Sequence, residues 1–453
     1  MSFDQTKPSC FKAYDIRGTV PAELNNDLAY RIGLATVGFL GARKMVVGRD
    51  CRLSSTELCE ALVKGLTDAG CDVLDIGLCG TEMVYYTTFA RKLDGGIMVT
   101  ASHNPMDHNG MKLVRDEAKP ISGDSGLDII GAAALNGDLQ KAAHKGQVTS
   151  EDIMAEYVEY LVGQVDQDRF KPLKIVANAG NGCAGPALAQ LAKHLPCEII
   201  PVFDQPDGTF PNGIPNPLLP ENRGVTTEAV RKHGADLGLA WDGDFDRCFF
   251  FDGEGNFIEG YYLVGLLAAA SLRDHPGAAI VHDPRLTWNT IDMVNKAGGR
   301  PVMNKTGHAF MKERMRAEDA VYGGEMSAHH YFRQFAYCDS GMLPWLLIVQ
   351  EMSETGRSLA DLVQTMQESY PASGEINRRL QDPDGALIEI EKKYIKTAKG
   401  VDRTDGLSLD MGSWRFNLRK SNTEPVIRLN VESRGDRPLM EEKTAEILVI
   451  LDQ

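Results

Sequence analysis

Three times along this chain a strand-like apolar run is followed by a stretch of helical period, and each round delivers a polar loop. The first round has a run at 44–48, a helical stretch at 54–69 closed by Gly70, a run at 71–76, a helix near 81–93 and then Gly96-Ile97-Met98-Val99. The second has runs at 173–177, 198–203 and 236–241, with a helix after Gly185 and another at 226–233. The third alternates helices at 261–272, 287–297 and 310–318 with runs at 278–282, 301–304 and 320–322. Such alternation restricts the chain to α/β layers with mostly parallel sheets. Beyond a helix at 359–370 the pattern changes to strands at 414–418 and 426–431 around a helix near 386–397, which predicts a smaller α+β domain. The Pro- and Gly-rich stretch 205–220 is a loop inside the second round, because apolar structure continues on both sides.

The polar loops carry the chemistry. Thr100-Ala101-Ser102-His103-Asn104-Pro105 places a hydroxyl at the carboxyl end of a strand, where open α/β sheets hold ligands. Alone, such a segment can be plain turn chemistry. Three further loops weigh against that. Asp242, Asp244 and Asp246 alternate, so in extended backbone they project to one side and can offer oxygens to a hard cation such as Mg²⁺. Without a cation, three carboxylates after an apolar strand would repel one another. Glu325 and Ser327, two apart, can hydrogen-bond vicinal sugar hydroxyls; a polar surface turn would explain Glu325 but not the run with His329 and His330. Arg419, Ser421, Asn422 and Thr423 lie between two strands, with Arg428 beyond, and supply guanidinium, hydroxyl and amide donors suited to a phosphate dianion. His103 is expected to point away from Ser102, since neighbours in extended chain diverge.

A formal charge of -15 disfavours nucleic acid or an anionic membrane as partner. A phosphorylated substrate would then need a locally cationic lining, for which Arg17, Arg247, Lys305, Arg419 and Arg428 are candidates. No apolar run is long enough to span a bilayer: 263–272 stops at Arg273, and 342–349 contains Pro344. The first residues lack the basic and apolar regions of a secretory signal. Nine cysteines without a Cys-x-x-Cys pair argue against a disulfide framework or zinc site, and a cytoplasmic setting fits.

The four loops in this order resemble the α-D-phosphohexomutases, from Phe11-Lys12-Ala13-Tyr14-Asp15-Ile16-Arg17-Gly18 to Arg428. The resemblance implies three similar α/β domains plus a mobile α+β fourth around one cleft, expected at 1–148, 149–253, 254–368 and 369–453. It implies a phosphoryl group on Ser102, one of whose oxygens joins the three aspartates on Mg²⁺, and a hexose 1,6-bisphosphate as intermediate and activator. His329 and Lys112 are expected to transfer protons, and Arg17 to stabilise charge. Tyr14, Lys305 and His308 are expected to join Arg247, Glu325, Ser327 and the Arg419 loop on the substrate, a small hexose phosphate. The sugar-loop sequence is most like that of enzymes acting on mannose phosphates, with glucose phosphates as the alternative. A monomer or homodimer is expected. The family usually has glycine where this chain has Phe245 and Ala328, which touches loop geometry and sugar preference rather than reaction class.

Overall fold

The computed structural model describes residues 8–420 and 426–452. Backbone contacts divide the chain into two compact units: residues up to Phe257 together with Tyr331–Gly356, and Ile258–His330 together with the chain from Arg357 onward.

The first unit holds two sheets. In one, the strands run in the order Ile16–Thr19, His108–Arg115, Gly95–Val99, Lys44–Arg49, Asp72–Leu78, Val148–Ser150. The strand Lys44–Arg49 is parallel to Gly95–Val99 and Asp72–Leu78, as the alternation requires. The strand His108–Arg115 is antiparallel to both of its neighbours. That reversal matters for the Ser102 loop, which connects Gly95–Val99 to His108–Arg115 rather than leading into a helix. Helices Asn26–Leu40, Ser55–Asp68 and Leu127–Asn136 bury Ile32, Leu58, Leu62 and Ile130 in a core shared with Met45, Val47, Ile97 and Val99. In the other sheet, Lys174–Asn178 lies parallel to Glu198–Val202 and Leu237–Trp241, and Cys248–Phe251 returns antiparallel to Leu237–Trp241. Both Gly95–Val99 and Leu237–Trp241 are buried at every position, the unbroken apolar pattern of a sheet covered on two faces. The stretch Tyr331–Gly356 ends in the helix Leu343–Thr355; before it, Gly341 accepts the Trp241 indole N–H through its carbonyl at 2.9 Å.

The second unit has the strand Ala279–His282 between parallel neighbours Arg300–Met303 and Tyr322–Gly324, with helices Gly260–Asp274, Trp288–Lys296 and His308–Glu318. Its later part is an antiparallel sheet in the order Ile376–Arg379, Val426–Ser433, Trp414–Lys420, Leu407–Asp410, Gly400–Asp402. Helices Pro383–Tyr394 and Arg437–Leu451 bury Ile390, Tyr394, Ile447 and Leu451 against Phe416, Leu418, Leu429 and Val431. This is the expected change to α+β. Among the described residues no helix is long and apolar enough to cross a membrane, and all nine cysteines are free thiols.

Candidate active site

The chain leaves Gly95–Val99 through Thr100, whose hydroxyl accepts the Ser102 N–H at 2.9 Å. Ser102 itself has φ 49, in the left-handed region that a side-chain-bearing residue holds only under constraint. Arg52 supplies the constraint. Its Nη1 donates to the carbonyls of Pro105 (2.7 Å) and His108 (3.1 Å), and its Nη2 to those of Ser102 (2.9 Å) and Asn104 (2.6 Å). The side chain is wholly buried, and Asp50 Oδ2, 3.4 Å from Arg52 Nε, balances the charge. Nothing in the local sequence marks Arg52, since its partners lie about fifty residues away.

The twisted backbone at Ser102 also corrects the expectation for His103. Its Nδ1 lies 3.0 Å from Ser102 Oγ instead of pointing away, because the two residues are not in extended chain. Burial, with the Arg247 and Arg17 guanidiniums nearby, pushes this imidazole well below its ordinary value, so it is neutral.

The three aspartates follow the strand Leu237–Trp241, but in a turn rather than extended backbone, with Phe245 at φ 46. The turn brings one oxygen from each of Asp242, Asp244 and Asp246 within 4.8 Å of the others. Ser102 Oγ donates to Asp242 Oδ2 at 2.5 Å. The two loops touch closely enough that a Cβ on Gly243 would stand 2.6 Å from the Ser102 carbonyl oxygen, so only glycine fits there. Arg247 donates to Asp242 Oδ2 from Nε (2.8 Å) and Nη2 (2.7 Å) and reaches Ser102 Oγ at 3.4 Å. Arg17 is set by Asp15 (2.7 Å) and by the Asn104 side-chain oxygen (2.6 Å), three residues along the chain from partly exposed Tyr14.

All three aspartates are buried, and Asp242 Oδ1 and Asp244 Oδ1 have no hydrogen-bond partner. A buried carboxylate oxygen without a donor is costly, and an oxygen-coordinated divalent cation removes that cost. The donor set therefore fits Mg²⁺. Lys112 lies against two of these aspartates. Its ammonium donates to Asp244 Oδ2 at 2.7 Å and to Asp246 Oδ2. Burial would lower its proton affinity, but the two carboxylates raise it above the ordinary lysine value, so its ammonium balances part of their charge. Burial would likewise raise the Asp244 carboxyl; Lys112 and the Thr81 hydroxyl, 2.6 Å away, hold it well below the usual range.

In the second unit the Glu325 loop is also a turn, with Ala328 at φ 70. Phe245 and Ala328, the two departures from the family's glycines, thus both occupy backbone that favours glycine. Glu325 Oε1 accepts the Gly307 N–H at 2.9 Å, and Ser327 Oγ accepts from Arg285 Nη2 at 3.2 Å. Asp283 Oδ2 fixes this turn by accepting the Met326 N–H at 2.8 Å and Arg285 Nη2 at 2.7 Å. Arg285 was not legible in the sequence, standing alone at the end of an apolar strand. The His308 and His329 rings stack with centroids 6.4 Å apart, and the Lys305 ammonium lies 3.4 Å from the Phe310 ring centroid. Arg419 and Arg428 both face Glu375, at 3.2 and 3.4 Å. The expected cationic residues are therefore not bare charge: each of the four arginines among them already sits beside a carboxylate. Ser421, Asn422 and Thr423 lie outside the described residues. The structure so gathers the expected residues in two groups, one in each unit.

Models of the phosphoglucomutase/phosphomannomutase family match in four pieces: α/β/α domain I over residues 8–139, domain II over 155–255, domain III over 259–370, and the C-terminal domain over 375–448. The chain belongs to this family. It is an isomerase, a mutase of the phosphotransferase kind. A phosphomannomutase of Salmonella typhimurium is 58% identical over 455 residues, covering 99% of this chain and 100% of the relative. Phosphohexose mutases of Xanthomonas campestris are 59% identical over 446 residues, covering 97% and 98%. Among solved structures, a phosphoglucomutase/phosphomannomutase family protein of Burkholderia thailandensis superposes with TM-score 0.87 at 33% identity, covering 98% of this chain and 97% of that one.

Proposed function

We propose that this mutase interconverts mannose 6-phosphate and mannose 1-phosphate through a phosphoserine at Ser102 and a mannose 1,6-bisphosphate intermediate. The observation that carries the reading is the Ser102 hydroxyl, held in left-handed backbone and hydrogen-bonded to Asp242 in a buried carboxylate trio with unsatisfied oxygens. Asp242, Asp244 and Asp246, with an oxygen of the phosphorylated Ser102, would hold Mg²⁺, which supplies neutralisation of charge on the transferring group.

Arg52 fixes the serine, so attack by the free sugar oxygen meets one orientation of the phosphorus. As that oxygen bonds to phosphorus the Ser102–phosphorus bond breaks, and His329 takes the hydroxyl proton. Arg247 and Arg17 stabilise the charge that moves onto the serine oxygen, while Lys112 and Thr81 hold Asp244 in place. The bisphosphate then turns end for end, and its other phosphoryl group returns to Ser102. Glu325 and Ser327 recognise ring hydroxyls, which are presented in both orientations. Tyr14, Lys305 and His308 add contacts, and Arg419, Arg428, Ser421, Asn422 and Thr423 hold the phosphate that is not reacting. The division at 1–148, 149–253, 254–368 and 369–453 accompanies this assignment of one loop to each part, and the four matched family spans support it. The mannose assignment is supported by relatives named for it. The phosphohexose mutases at similar identity favour a second reading, in which glucose phosphates are also substrates.

The test is parallel turnover of mannose 1-phosphate and glucose 1-phosphate with catalytic bisphosphate, alongside intact-mass and peptide mapping. Faster mannose turnover with phosphate on Ser102 is expected. Comparable rates would establish the second reading, and inorganic phosphate accumulating in place of the isomer would overturn both.

A further inference from the structure

The second unit's arginines converge on a single carboxylate. Glu375 precedes the edge strand Ile376–Arg379, yet its side chain is only 5% exposed. Its Oε2 accepts from Arg419 Nη2 at 3.2 Å and from Arg285 Nη1 at 3.3 Å, and its Oε1 lies 3.4 Å from Arg428 Nη1. Burial would raise this carboxyl; the three guanidiniums bring it down to about 2, so it carries its charge at any working pH. Other carboxylates nearby are narrower in reach. Asp283 bonds Arg285, Glu325 stands 3.8 Å from Arg285, and Asp405 stands 3.8 Å from Arg419. Among the described residues Glu375 is thus the carboxylate in contact with all three arginines. It does not exhaust them: the buried Nε of Arg285 and that of Arg419 have no hydrogen-bond partner.

We propose that Glu375 is the built-in counter-anion of the phosphate site, aligning Arg285, Arg419 and Arg428 and competing with the substrate phosphate for them. This rests on the reading that Arg419 and Arg428 hold a phosphate. Three guanidiniums without a competitor would grip a dianion through several charge-assisted bonds at once. A mutase gains nothing from such a grip, because binding that is equally tight before and during reaction does not speed the chemistry, and this intermediate must let go and rebind reversed. Glu375 is accordingly a positioning residue, one that sets how readily the phosphate leaves.

The experiment is calorimetric titration of the full chain with inorganic phosphate. Glu375→Gln, nearly the same in shape, should bind about five- to tenfold more tightly, as expected for removing one like charge from a screened site. Glu375→Asp, which keeps the charge, should stay within about twofold of the natural protein. In Glu375→Gln/Arg419→Ala the gain should vanish. With mannose 1-phosphate as substrate, Glu375→Gln should show a lower KM and a lower kcat together, a split that mere loosening of the fold does not produce. Equal or weaker phosphate binding by a Glu375→Gln protein with unchanged circular dichroism would overturn the proposal, as would a gain that persists without Arg419. Because calorimetry needs no turnover, a protein that binds phosphate as described but isomerises neither sugar would refute the assigned reaction and leave this inference standing.

Discussion

Arg52→Lys isolates the device that holds Ser102, the proposed phosphoryl carrier. Lysine keeps the charge next to Asp50 but replaces two terminal nitrogens with one. Four carbonyls, those of Ser102, Asn104, Pro105 and His108, now share Nη1 and Nη2 at 2.6 to 3.1 Å. A single ammonium cannot stand at both positions, so at least two charge-assisted bonds are lost, worth about 1.5 kcal/mol or more each. The left-handed backbone at Ser102 stores a further ~1–3 kcal/mol that the loop recovers by relaxing. Both effects favour displacement of the serine, and a shift of about 1 Å at a reacting atom costs on the order of 10²-fold in rate. The expectation is a kcat lowered by about 10²-fold with KM changed by less than about threefold, since Arg52 faces carbonyls and not substrate. Steady-state kinetics measures both, and limited proteolysis at 102–108 reports the loosened loop. A kcat within about twofold of the natural protein would refute the claim that this guanidinium holds the serine.

Three other perturbations have definite outcomes. Asp244→Asn removes one of the three proposed anionic ligands at constant size, so metal affinity by titration and kcat should both fall, the latter by about 10²-fold or more; an unchanged metal titration would return the acidic turn to a structural role. Burial raises the Glu82 carboxyl to about 8, although the Gly341 N–H and the Tyr157 hydroxyl donate to it. The folded state therefore binds a proton that the unfolded chain releases near its ordinary value of 4.5. The resulting stability is fully present below about pH 4.5 and is lost as pH rises through about 8, up to about 5 kcal/mol in all. Denaturant midpoints from pH 5 to 8.5 should fall more steeply for the natural protein than for Glu82→Gln; parallel curves would contradict this. Phe245→Gly relieves left-handed backbone worth ~1 kcal/mol but empties the space of a fully buried ring worth ~3–5 kcal/mol. The Phe245 ring fills the space beside Gly80, where a Cβ would come within 2.1 Å of it. The variant should be less stable by about 2–4 kcal/mol in urea, and a gain in stability would show that relief of the backbone outweighs loss of the ring.

What could be read from the sequence was whatever repeats locally. Buried strands such as Gly95–Val99 and Leu237–Trp241 are continuous apolar runs, and the loops of the candidate site follow them directly. Ser102, the three aspartates, Glu325 and Arg419 stood out because each loop concentrates polar residues at short spacing. Backbone direction did not show. The assumption of extended chain misplaced His103, because positive φ at Ser102 leaves no mark in a serine. Arg52, Arg285 and Glu375 were invisible for another reason. Each is one charged residue in an ordinary setting whose meaning comes from partners 42 to 90 residues away. The mixed direction of the first sheet was hidden too, since His108–Arg115 carries Lys112 at a buried position that reads as polar.

Asp244 receives Lys112 and Thr81 from 132 and 163 residues earlier, across two different sheets. Neither sheet alone has a tolerable interior at that point: one would bury an ammonium, the other a knot of carboxylates. Competence for chemistry thus requires both layers to be in place, and closing contacts of such separation carries a large loop-entropy cost. It should also be surrendered early. On heating, the seam between the two sheets can open while each keeps its strands, so catalytic activity should decay at temperatures where far-ultraviolet dichroism is still intact.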